Sequence, residues 1–164
     1  MQINYLGQDK FSIKSKNARI ELKNFVDIED FVINGPGEYE RKNVFVEGIG
    51  KDSDQTVYVI RAEDLSLCYL GKLKRLLSDE EIKRIGDIDI LFVPLGEEGT
   101  LEISKANEVI VKIDPRVVIP MLYSDLAKFK EIEGVSNGEV ETYKVKKIDL
   151  PSEERNIVII KPKS

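Results

Sequence analysis

Histidine does not occur among the 164 residues, cysteine occurs once, and tryptophan not at all. Each gap removes a class of chemistry. Without imidazole there is no Ser-His-Asp or Cys-His site, because both need that ring as the base. No His-ligated zinc, iron or copper site can form, and a lone thiol cannot build a thiolate cluster. A metal site made from what remains would be all-oxygen, of the Mg²⁺ or Ca²⁺ type. Cys68 has no partner for an internal disulfide. Long apolar runs are missing as well, none approaching the ~18–20 residues of a membrane span. The opening Met1-Gln2-Ile3-Asn4 shows no basic stretch leading into an apolar one. The expectation is a soluble, cytoplasmic chain with no membrane association.

What is present is enough for a core. Hydrophobic residues make up 41%, and the length fits one domain spanning residues 1–164. The net charge of −5 speaks against a non-specific nucleic-acid binder, which normally carries a basic face.

The first half of the chain reads as short strands. Residues 2–6 and 11–15 form a hairpin around Gly7-Gln8-Asp9-Lys10. Residues 18–22 alternate, with Ala18, Ile20 and Leu22 on one face. Phe31 to Ile33 is apolar and stops at Asn34-Gly35-Pro36-Gly37, and 44–46, 55–62 and 65–70 follow as further strands. Ser78-Asp79-Glu80-Glu81 is a capping box that opens a helix ending at Gly86. Helical patterns also cover 104–113 and 125–132. They alternate with apolar runs at 88–93 and 116–121, the signature of parallel strands covered by helices. Residues 139–145 and 156–160 read as late strands, and Lys161 to Ser164 as a frayed tail. An antiparallel meander followed by helix–strand units makes a mixed α/β sandwich.

Few residues offer chemistry. Gly35-Pro36-Gly37-Glu38 reads as a type II turn rather than a phosphate cradle, since no helix follows it. Glu38 and Tyr39 are candidates for lining a pocket. Lys72, Lys74 and Arg75 form a small basic cluster. Asp52, Asp54, Glu97 and Glu98 are acidic pairs that fall short of the 6–8 oxygens Ca²⁺ requires. Cys68 reads as a small buried hydrophobe.

Four segments together resemble one family. Phe31 to Glu40 is similar to the DGPGEYE stretch, and Cys68 to Leu73 to the CHLGDL stretch, of a bacterial branch of the metallo-β-lactamase fold superfamily. Gly86 to Gly96 is similar to its GDVDILLIPVG, and Asp114 to Tyr123 to its EPKIVIPMHY. The branch is described as zinc-dependent hydrolases related to ascorbate-phosphate lactonases. The resemblance implies a reduced metallo-β-lactamase-like αβ/βα sandwich. It also shows systematic departures. Only residues 23–30 occupy the place of the His-x-His-x-Asp-His loop, and residues 50–54 the place of a second His-bearing loop. Tyr69 stands where the family has His, Lys72 where it has the bridging Asp, and Leu122 where it has His again, with Tyr123 beside it. In the family a dinuclear zinc site polarises water and stabilises a developing oxyanion. An ammonium group repels a cation and a leucine offers no lone pair.

The resemblance therefore implies a catalytically degenerate protein without a zinc site or other cofactor, acting by binding a protein partner or by homo-oligomeric assembly. Lys72 could supply the positive charge that the metal supplied. The vacated mouth should expose apolar groups such as Leu122, either covered by rearranged loops or used as an interface. Two other readings stand beside this one. One is a hydrolase with a metal-free or Mg²⁺-type site near the old mouth, built on acidic residues and Lys72. The other is an accessory protein linked to nucleic acid, which the acidic balance disfavours. No small-molecule ligand is specified by the residues.

Overall fold

A computed structural model describes residues 1–134 and 138–163. In chain order the strands are β1 (Gln2–Gly7), β2 (Lys10–Lys14), β3 (Arg19–Lys23), β4 (Val26–Ile28), β5 (Phe31–Ile33), β6 (Gly37–Arg41), β7 (Val44–Ile49), β8 (Val57–Ala62) and β9 (Leu65–Tyr69). Then come α1 (Asp79–Ile85), β10 (Ile90–Pro94), α2 (Ile103–Ile113), β11 (Val117–Met121), α3 (Ala127–Glu133), β12 (Tyr143–Lys144) and β13 (Asn156–Ile157). The first sheet has the order β12-β1-β2-β3-β4-β5 and is antiparallel throughout. The second has the order β13-β11-β10-β9-β8-β7-β6, and its β9, β10, β11 and β13 run parallel.

The central strands of the second sheet, β8 to β11, are buried on both faces. Tyr58, Ile60, Leu67, Tyr69, Ile90, Phe92 and Ile119 face the first sheet. Val57, Val59, Cys68, Leu91, Val93 and Val118 face the helices. That double burial is why 90–93 reads as an unbroken apolar run, since a strand covered on two sides has no position to spare for a polar residue. The first sheet alternates instead: Ile3, Tyr5, Phe11, Ile13, Ile20 and Leu22 point inward while Lys10, Lys14 and Arg19 point to water. The helices contribute to the second sheet's outer core through Ile85 of α1, Ala106, Val109, Ile110 and Ile113 of α2, and Phe129 of α3. The architecture is thus a reduced αβ/βα sandwich, in which the described helices pack on the second sheet.

Local sequence explains the helix ends. Ser78 accepts the Glu81 amide while Glu81 accepts the Ser78 amide, the reciprocal capping box, and Gly86 stops α1. In α2 the buried positions 106, 109, 110 and 113 follow the i, i+3, i+4, i+7 stripe, and Asp114 in the left-handed region precedes Pro115 at its end.

Several expectations are corrected. Residues 23–30 are not merely a shortened connection: Val26–Ile28 is a strand, joined to β3 by a tight turn in which the Lys23 amide donates to the Phe25 carbonyl (2.9 Å). Gly37 has φ +140, further from the type II value of about +80 than a turn requires, because it already begins β6. The chain changes sheets there. It does so tightly enough that a Cβ on Gly48 would lie 2.3 Å from the Gly35 carbonyl oxygen. Of residues 139–145 only Tyr143–Lys144 is a strand, and of 156–160 only Asn156–Ile157. Residues 161–163 are not frayed. The Lys163 amide donates to the Tyr5 carbonyl (2.8 Å) and the Lys161 amide to the Val140 carbonyl (2.8 Å). Ser164 lies outside the described residues.

Beyond closing the capping box, Glu81 receives a two-pronged hydrogen bond from Arg75, 2.8 Å at each oxygen. That guanidinium is the main reason its carboxyl is held down at about 2. A depressed carboxyl contributes stability that is present above its unfolded pKa of ~4.3 and lost as pH falls through the folded value. Glu81→Gln should therefore lower Tm near pH 7. The difference from the parent chain should close as thermal melts are repeated between about pH 4.3 and about pH 2.

Candidate functional site

In open α/β sheets ligands bind beyond the carboxyl ends of the parallel strands. Here those ends belong to β9, β10 and β11. The residues just beyond them, Leu70, Leu95 and Leu122, are all buried, and the opening beside them is a 400 Å³ cleft on the helix side lined by Leu95, Gly96, Glu97 and Ser124.

Tyr69 closes β9 and faces the first sheet with no exposed surface. Its hydroxyl donates to the Asp9 carbonyl (2.6 Å) and accepts the Asn24 amide (2.7 Å). Asp9 sits in the β1–β2 turn and Asn24 in the β3–β4 turn, so one phenol ties the second sheet to two turns of the first. Burial, reinforced by the charge of Asp9, pushes its ionisation well above the ordinary tyrosine range. It stays protonated and keeps donating. Asn24 has φ +58 and Gln8 φ +54. These left-handed positions let each turn reverse in few residues.

The Lys72 amide donates to Asn24 Oδ1 (3.1 Å). Gly71 allows this approach, since a Cβ there would lie 2.7 Å from that oxygen. The Lys72 ammonium stands 3.4 Å from the Glu98 carboxylate. With both side chains over a third exposed, the pair adds little to stability. The other two members of the basic cluster separate: Arg75 binds Glu81, and the Lys74 amide donates to Gln55 Oε1 (2.9 Å).

Leu122 is 1% exposed, so of the two alternatives it is covered by loops rather than left open as an apolar surface. Its amide donates to the Gln8 carbonyl (3.2 Å) and its carbonyl accepts the Glu97 amide (3.0 Å). The β1–β2 turn and the loop after β10 therefore close over it. Its φ of +50 is a region that L side chains seldom adopt. Tyr123 is half-buried, with its ring 6.4 Å from that of Tyr5, whose hydroxyl donates to the Gln8 carbonyl (2.6 Å). Burial raises both phenols.

Tyr69, Lys72, Leu122 and Tyr123 are thus gathered around Gln8, Asp9 and Asn24. Glu38 and Tyr39 are placed elsewhere, on the edge strand β6, where the Tyr39 hydroxyl turns back to the Pro36 carbonyl (3.0 Å). Cys68 points to the helix side, where burial pushes its thiol up to about 12. The three turn residues went unrecognised as site residues in the sequence. The only local signals were the Gly7-Gln8-Asp9-Lys10 turn and a lone Asn tolerant of left-handed backbone.

The zinc pair implied by the resemblance does not fit these donors. The phenol of Tyr69 is already engaged on both sides, Lys72 presents an ammonium group, and Leu122 presents no lone pair. Among the described residues no group of three or more His, Cys, Asp or Glu is placed to hold a metal.

A family model described as the beta-lactamase superfamily domain matches residues 26–122, more than half of the chain. The chain belongs to the beta-lactamase superfamily. Solved structures share the architecture. A metallo-beta-lactamase superfamily protein of Thermotoga maritima, proposed to be a Zn-dependent hydrolase, is 22% identical over 98% of both chains with a TM-score of 0.80. Igni18, a metallo hydrolase of Ignicoccus hospitalis, is 15% identical, covers 88% of this chain and 99% of its own, and has a TM-score of 0.63. Identities this low establish the fold alone. No curated protein matches the chain. In this member of the beta-lactamase superfamily the matched span ends at Leu122. It begins after the turn carrying Gln8 and Asp9, so part of what covers the strand ends lies outside it.

Tyr69→Phe should leave the Asn24 amide and Asp9 carbonyl without a partner in a dry site, at a cost of about 1–3 kcal/mol. The urea midpoint should fall with an unchanged slope.

Proposed function

We propose that this chain is a catalytically degenerate member of its superfamily, a single domain over residues 1–164 that works by binding or assembly rather than by metal-dependent hydrolysis. The observation that carries this reading is the occupation of the β9, β10 and β11 ends by protein. The Tyr69 hydroxyl bridges Asp9 and Asn24, and Leu122 is sealed under the Gln8 turn. A metal-dependent hydrolase must leave an open coordination position and room for a water at such a site. Tyr69 and Leu122 instead support the reading by packing and hydrogen bonding against the turns.

Retention of a tightly packed core supports a protein that is still used. The run 90–93 is fully buried, and no buried side-chain polar atom among the described residues lacks a partner. Drift without a function to preserve would have introduced cavities or orphaned polar groups in such strands.

Protein produced in zinc-supplemented medium and dialysed should contain substoichiometric zinc by elemental analysis, and should leave phosphodiester, ester and lactone substrates intact. Stoichiometric zinc that survives dialysis would overturn the reading. So would a hydrolytic activity that disappears in Lys72→Ala.

A further inference from the structure

The described helices pack on the second sheet, and the outward face of the first sheet is left to water. That face carries charge in an unusual order. Across four neighbouring strands the register aligns Lys144 of β12, Gln2 of β1, Lys14 of β2 and Arg19 of β3. Lys16 and Lys146 flank the row in adjoining loops and line the same clefts. All five basic side chains are exposed, and none has a carboxylate within ion-pair distance among the described residues. Lys14 and Arg19 stand directly opposite one another, and Lys10 stands opposite Lys23. Like charges facing across a strand pair destabilise a sheet. The groove along the row also holds Glu63 and Asp149, but both are engaged by main-chain groups: Glu63 accepts from the Met1 amino group and the Lys16 amide, and Asp149 from the Lys146 amide.

We infer that this row is a docking strip for a short acidic segment of a partner protein. The inference rests on the binding reading above. The row spans three strand spacings, about 14 Å. An extended segment of about four or five residues covers the same length at ~3.4 Å per residue. The two clefts beside the row, of 590 and 480 Å³, share Lys14, Ser15 and Lys16 and are open grooves. The basic groups are strung along them rather than converging on one point, which fits an extended anion better than a compact one. Beyond Arg19 the same face turns acidic, with Glu21, Asp27, Glu29 and Asp30 lining the far side. A duplex, whose phosphates continue along its length, would meet those carboxylates. A second copy could reach the row only by setting its own acidic side on it, and light scattering that showed a dimer broken by Lys14→Glu would overturn the proposal in favour of that occupant. A short acidic stretch matches the row without involving the acidic side, and neutralising the row would relieve the Lys14–Arg19 repulsion on binding.

The test uses the full chain with a fluorescently labelled hexaglutamate peptide, followed by anisotropy at low and then raised ionic strength. Binding should weaken steeply with salt. Lys14→Glu should weaken it about tenfold or more, the size expected when a charge contact worth about 1.4 kcal/mol is lost. The same variant should melt at a higher temperature than the parent, because a carboxylate opposite Arg19 replaces a like-charge pair. Lys105→Glu makes the same charge change on α2 and should leave affinity near that of the parent. Should Lys14→Glu fail to fold, Lys144→Glu on the edge strand β12 makes the same test. Equal losses in the strip and α2 variants would overturn the proposal, since net charge alone would then explain binding. No peptide binding at low salt would overturn it too, as would tighter binding of a DNA duplex with the same lysine dependence. None of these outcomes bears on zinc content or hydrolysis, which decide the underlying reading separately.

Discussion

A hydroxyl group shielded from water holds the two sheets together at the end where a ligand would enter. Tyr69 is anchored in a strand buried on both faces, so its position is not adjustable. Asp9 and Asn24, which it joins, lie in the two turns that shape the first sheet. Other contacts gather at that end beside this cross-link. Lys72 is drawn to Asn24, Gly71 must lack a side chain for the approach, and Leu122 is pinned beneath Gln8. A metal ion would link loops of different strands by coordination, which requires charged or lone-pair donors and an open position. A phenol links backbone groups of different strands by hydrogen bonds. It needs only a dry pocket, and it leaves no opening.

The two outer faces of the sandwich serve different ends. The second sheet spends its outer face on helices and gains a second apolar core. The first sheet keeps its outer face polar, so its strands alternate and its charges remain available. This division explains why Lys14 and Arg19 can face one another on β2 and β3 without unfolding the sheet. The inward residues Phe11, Ile13, Ile20 and Leu22 of the same strands are fully buried and hold the pairing. Each fully buried side chain contributes about 1.5–3 kcal/mol, more than a solvent-screened repulsion takes away.

Much of the fold was legible residue by residue. The capping box at Ser78, the stripe through α2 and the unbroken run at 90–93 each follow from local rules, and each appears where the pattern puts it. The misses share a physical cause. β4 is only three residues long and β6 is polar apart from Tyr39, so neither carries a pattern long or apolar enough to read, although each pairs with the strands next to it in the chain. The C-terminal segment, rich in Lys and Pro, looks like a tail. It is held because Tyr5 and Val140 offer backbone partners. For the site, the resemblance picked out Tyr69, Lys72 and Leu122, but not what surrounds them. Leu122 illustrates the difference. A leucine in place of a ligand predicts an apolar mouth, and only the β1–β2 turn, more than a hundred residues earlier in the chain, decides that it is covered.

Sequence by itself determined the excluded His and thiolate chemistries and most of the strand and helix periodicities, because these depend on residue identity and short-range spacing. Tertiary structure alone decided that the residues just beyond the strand ends are buried, that Tyr69 spans two turns and that basic residues from three strands form one row. Those features depend on register between segments far apart in the chain, and register is set by which faces are buried together.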